Sequence, residues 1–191
     1  MIYLPYWYRL RSTDAYLIWY TDAAGEGAEA DGILLDDAGR LLTFLSLDAL
    51  QGCADSRGLS VDPEMNTDPL DLDTVAHWLG ATRKTTVDCP IFLNAWNLFS
   101  DLASAVQGHL AHIDDQAEER IYDKLFWGSN LPALTPPGKH YTPVWTKSEV
   151  GRLRNVLNKG MQLFQGRLSE KPVEPVRGAW ELTERLNGWS L

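Results

Sequence analysis

Cys89 is the first residue whose type and place could do chemistry. It opens the run Cys89-Pro90-Ile91-Phe92-Leu93-Asn94-Ala95-Trp96-Asn97-Leu98-Phe99-Ser100-Asp101. A thiol in the first turn of a helix has a lowered pKa and attacks as the thiolate. A small cysteine-dependent hydrolase would also need a histidine base, which the fold would have to recruit from His109, His112 or His140. The simpler reading is a small buried residue that seats the helix, because free cysteine is commonly buried packing. No base motif accompanies Cys89, so no reaction is expected of it and the chain is not expected to be an enzyme.

Two other clusters invite a metal and then argue against it. His109 and His112 stand three apart with Asp114 and Asp115 behind them, but no third ligand has telling spacing. Asp62, Glu64, Asn66, Asp68 and Asp73 fall near the ligand positions of a calcium loop. Thr67 stands where the turn glycine belongs, and Pro63 and Pro69 intrude. No metal and no cofactor is expected. Together with Asp71 the connector keeps five carboxylates within residues 62–73. A solvated acidic loop is the plain reading, and an acidic face offered to a basic protein is the sharper one. Asn94, Asn97, Asp101 and Ser104 recur at spacings of three and four and share one face of an otherwise apolar helix. They either orient a ligand or satisfy neighbouring loops by buried hydrogen bonds, and the structural role is the expectation. No phosphate loop, nucleophile elbow or paired-carboxylate motif is visible.

These groups need a frame. Residues 2–10 and 15–21 are aromatic and branched and read as a β-hairpin about Ser12-Thr13-Asp14. Ile33–Asp36 and Leu41–Leu45 flank Asp37-Ala38-Gly39-Arg40 and read as a second hairpin, with Gly39 free to take a positive φ. Four strands in succession favour an antiparallel meander. Ser46 caps a short helix to about Arg57, closed by Gly58. Asp71 or Asp73 caps the next, which ends at Gly80. Asp88 caps the central helix, with Pro90 in its first turn and Gly108 at its end. A helix over 114–127 stops at Gly128, and a long proline-bearing loop spans 129–143. Thr146 and Glu149 form a capping box ahead of a long amphipathic helix. Residues 179–186 can form a terminal helix. The expected fold is α+β: an N-terminal antiparallel sheet of about four strands beside a helical layer, with the central helix buried.

With 191 residues the chain fits one domain over 1–191, strand-rich to residue 46 and helix-rich from 47. The net charge of −9 speaks against nucleic acid, which needs a basic face. Two cysteines suit a reduced, cytoplasmic protein. The N-terminus does not read as a signal peptide, and no run approaches a membrane span, so no membrane partner is expected.

Three segments carry a resemblance: Leu34-Leu35-Asp36-Asp37-Ala38-Gly39-Arg40-Leu41-Leu42-Thr43-Phe44; Asn94-Ala95-Trp96-Asn97-Leu98-Phe99; and Tyr122-Asp123-Lys124-Leu125-Phe126-Trp127-Gly128-Ser129-Asn130-Leu131-Pro132. Together they resemble the immunity proteins of contact-dependent growth inhibition and related polymorphic toxin systems, over roughly half the chain. The resemblance implies a small bacterial antidote, a monomer when free. It would bind the cognate toxin C-terminal domain, often a nuclease with a basic cleft, and occlude its active site. Charge, not the resemblance, selects the residues expected to face that toxin: Asp62, Glu64, Asp68, Asp71 and Asp73 of the connector, and Asp36 and Asp37 of the second turn. An unrelated protein-interaction module is the other alternative to the hydrolase.

Overall fold

The computed structural model describes residues 1–21, 31–62, 68–81, 86–106, 116–169 and 172–173. Two long strands open the chain, β1 (Ile2–Leu10) and β2 (Thr13–Thr21), paired antiparallel from Ile2↔Thr21 to Leu10↔Thr13. Aromatic and branched side chains fill both, as the pleated surface favours. Arg11 and Ser12 make the two-residue connection at φ 54° and 57°. That mirror-image turn suits the twist of a hairpin but is usually given to Asn or Gly. Here it is braced from outside: the backbone N–H groups of Arg11 and Ser12 donate to the two oxygens of Asp73 at 2.6 and 2.7 Å.

The fold is α+β as expected, but the sheet's fourth strand is not. Its order is β3-β2-β1-β4, with β3 (Asp31–Ile33) antiparallel to β2 and β4 (Leu70–Asp71) parallel to β1. The second hairpin reduces to one bridge, Leu35↔Leu41, around a turn where Gly39 takes φ 71°. The chain then rejoins the same edge of β2, where Phe44 and Tyr16 exchange both backbone hydrogen bonds at 2.8 and 3.0 Å. The other edge is interrupted too: Val61 bridges Tyr3 of β1, and the next pairing is Leu70 with Tyr8. Between those contacts the edge chain advances nine residues against five on β1, so it cannot stay in register. The Asp36-Asp37 turn leaves the β2 edge in this way, and Asp62, Asp68 and Asp71 flank the break in the β1 edge. Charged excursions also blunt sheet edges against pairing with another chain.

Both faces of the sheet are covered. Leu17 and Ala15 of β2 join the larger core with the helices, whereas Ile18 joins Leu42, Phe44 and α1 (Leu47–Ser56) on the other face. The helical layer expected beside the sheet is present, and α1 covers the opposite face as well. The unalternating apolar run of β2 is what a strand buried on both faces requires. Ser46 caps α1 through Ala49 N–H, and Gly58 follows its end at φ 66°.

On the larger side, α2 (Leu72–Gly80), α4 (Gln116–Gly128) and α5 (Lys147–Arg167) surround α3 (Cys89–Ala105). Helix α3 also touches β3 and β4. Asp88 caps α3 through Ile91 N–H with Pro90 in the first turn, and nine of its residues are buried, Trp96 among them. It crosses α5 closely: a Cβ on Gly160 would stand 2.2 Å from the Phe99 ring. The expected stop of α3 at Gly108 and the terminal helix over 179–186 lie outside the described residues. The capping box of α5 is formed on both sides, Thr146 with Glu149.

Candidate functional site

Helix α3 turns its polar stripe towards the interrupted β1 edge. Asn94 and Ser104 are exposed, while Asn97 and Asp101 are half-buried with partners from other elements. Asn97 Oδ1 accepts from the Tyr122 hydroxyl at 3.0 Å, and Asp101 Oδ2 accepts from Trp19 Nε1 at 2.9 Å. Two members of the stripe therefore do the structural work expected of buried amides and carboxylates. The stripe nevertheless borders open space. A cleft of about 790 Å³ lies between α3, the Leu4–Tyr6 part of β1 and the arrival of the connector at β4. Asn94, Asn97 and Asp101 form one wall, Asp68 and Asp71 another, and the rings of Tyr6 and Trp19 close it.

Among the described residues the lining holds three carboxylates and no Lys, Arg or His. Burial pushes the Asp101 carboxyl up to about 6, the Asp31 carboxylate adds to the rise, and the Trp19 N–H opposes both. The Tyr6 phenol is raised as well, by burial first and by Asp101 second. Such a cleft suits a cationic guest, and its rings offer a guanidinium a face to stack on. Among the described residues no three His, Cys, Asp or Glu side chains come close enough together to hold a metal ion.

The acidic residues picked from sequence divide. Asp68 and Asp71 reach the cleft; Asp71 also caps α2, accepting from Thr74 N at 3.0 Å and Thr74 Oγ1 at 2.9 Å. Asp73 braces the β1–β2 turn. Asp62 is exposed at the start of the connector, its N–H bonded to Tyr3 O, and Glu64 lies outside the described residues. Asp36 organises its own turn, accepting from the N–H groups of Ala38 and Arg40 and from Arg40 Nε; those bonds hold its carboxyl below the usual range. Asp37 is exposed on the same turn, at the sheet edge away from the cleft. Sequence reasoning missed Tyr6 and Trp19. Their place on the helix-facing side follows from strand alternation, but their meeting with Asp101 is 82 residues distant in sequence for Trp19.

Cys89 is buried, and burial and then Asp88 push its thiol up to about 11. It packs on Gly128, where a Cβ would stand 2.6 Å from Sγ. His77, rather than His140, lines the same shallow groove as Cys89, and His109 and His112 lie outside the described residues. Buried, with its thiol raised and set against the end of α4, Cys89 has the surroundings of a packing residue rather than of an activated nucleophile. Among the described residues no helix is long and apolar enough to cross a membrane. Comparison with family models, curated proteins and solved structures finds no match to this chain.

Proposed function

We propose that this protein is an immunity protein that binds a cognate, basic toxin domain, a nuclease in the reading favoured here, and occludes its active site. It carries out no reaction of its own and acts in the cytoplasm, as a monomer until the toxin arrives. The observation that carries the reading is the cleft, which is lined by Asp68, Asp71 and Asp101 and, among the described residues, by no cation. The charge distribution points the same way. Residues 1–106, which supply every lining residue, hold 16 acidic and six basic side chains, against ten and 11 in residues 107–191. An acidic half of this kind speeds encounter with a basic partner and disfavours wrong ones. The toxin, as opposed to any basic protein, is supported by the resemblance of the three segments given above. The hydrolase alternative would need a thiolate, and the Cys89 thiol is raised.

The test is to look beside this chain's gene for a large secreted protein with a toxin-like C-terminal domain and to co-express that domain with the chain, with growth and complex formation as readouts. The wild type should restore growth and co-purify one to one. The double variant Asp68→Asn, Asp101→Asn should bind at least tenfold more weakly while folding normally. Absence of a complex with the wild type, or equal affinity of the variant, would overturn the proposal.

A further inference from the structure

Among the described residues no cation stands beside Asp101, whereas Asp71 lies in the field of Arg9. From β1 it is faced by Tyr6, from β2 by the neutral indole of Trp19, and from β3 by Asp31. Asp68 and Asp71 lie on the opposite wall, and the other polar residues that α3 gives to the lining are the amides Asn94 and Asn97. Among the described residues one donor reaches it, the Trp19 indole N–H, set against desolvation and the field of Asp31. Ionising it in these surroundings is therefore costly, and a cation placed beside it removes that cost.

Building on the reading of the cleft given above, we propose that one arginine or lysine side chain of the partner enters as the counter-ion of Asp101, and that its entry drives the carboxyl proton into solvent. The carboxylic acid and the cation become a carboxylate–cation pair plus a proton taken up by the buffer, with no other bond made or broken. Arginine fits better, because a planar guanidinium can bond a carboxylate while lying on the Tyr6 or Trp19 ring. The sign of the coupling follows from the free protein. Asp101 there titrates at about 6, and pairing draws it back towards the ordinary carboxyl range. Binding thus releases a proton below about pH 6, and affinity rises with pH until that point and flattens above it. Between pH 5 and pH 7 the gain is about tenfold.

The experiment uses the full chain and N-acetylarginine amide as the probe, with N-acetylcitrulline amide as the uncharged control of the same shape. NMR follows the Asp101 carboxyl carbon and the Trp19 indole N–H from pH 4 to pH 8. Asp101 should titrate near 6 in the free protein and move towards ~4 with saturating probe. The probe should bind about tenfold more tightly at pH 7 than at pH 5. The citrulline control should leave both signals unmoved, and Asp101→Asn should bind the probe weakly and equally at both pH values. Perturbation of the cleft to the same extent at both pH values would overturn the proton coupling and leave the cationic occupant standing. A probe that perturbs neither signal at any pH would overturn uptake at Asp101, whereas the immunity reading itself fails only in the co-expression assay.

Discussion

Asp73 holds the Arg11-Ser12 turn from 61 and 62 residues away in sequence, on a pair of residues that hairpin turns of this kind do not favour. Two charge-assisted hydrogen bonds there should contribute about 1–2 kcal/mol at an exposed site. We expect Asp73→Ala to lose that much in urea unfolding. In a background carrying Arg11→Asn and Ser12→Gly, which suit the turn unaided, the loss should shrink to a few tenths. Equal losses in both backgrounds would show that the brace does not act through the turn. Asp101 has the opposite sign. Its folded value of about 6 lies above the ordinary 3.8, so the folded state binds the proton more tightly than the unfolded one. Its contribution is most favourable below pH 3.8 and is lost as pH rises through 6. Asp101→Asn keeps an acceptor for Trp19 and removes the charge. Its melting temperature should exceed wild type at pH 7.5, and the gap should narrow as pH falls through 6 and close below 3.8. A gap independent of pH would mean that the carboxylate is not the source of the cost. A charge kept where it destabilises the fold is what a binding group requires.

Glycines on one helix separate close packing from open surface. On α5, Gly160 lies under the Phe99 ring of α3, whereas an added methyl at Gly151 meets nothing within 4 Å. Gly160→Ala must displace that ring or the helix and should cost about 2–3 kcal/mol. Gly151→Ala should stabilise by about 0.5–1 kcal/mol through helix propensity alone. The two melting temperatures, moving in opposite directions, check the crossing of α3 and α5; a stabilising Gly160→Ala would remove it. Elements with local signals were legible from sequence: Ser46 before α1, Asp88 and Pro90 at α3, and the Thr146–Glu149 box of α5 act on residues three or four away. Strand β4 was not, because two residues carry no periodicity and its pairing with Tyr8 and Arg9 is tertiary. The second hairpin failed for the same reason: Phe44 answers to Tyr16 across the fold, not to Ile33 nearby. The stripe on α3 was legible as a face, but the cleft needed β1, β2 and the connector to arrive opposite it.

At the scale of the molecule, charge divides by distance from the cleft. Every acidic side chain of residues 1–106 adds to the field that a basic partner meets on approach, whereas only those in the lining touch it after docking. Asp36 already pairs with Arg40 at 2.8 Å and Asp14 with Arg9 at 2.6 Å, so neither is a clean probe of that field. Asp37 is a better one, exposed on the far edge of the sheet. Asp37→Asn with Asp48→Asn, and Asp68→Asn with Asp101→Asn, each remove up to two charges. At pH 7.5 and low salt, both pairs should slow association with the toxin domain by a similar factor, about two- to fivefold, and both should flatten its salt dependence. Dissociation should separate them. It should be unchanged in the outer pair and at least fivefold faster in the cleft pair, since losing a docked partner of a charge is read in the off-rate. Stopped-flow association and surface-bound dissociation at two salt concentrations measure both. Equal off-rates in the two pairs would place the docked cations elsewhere on the acidic half, and leave the cleft as part of the fold's wall.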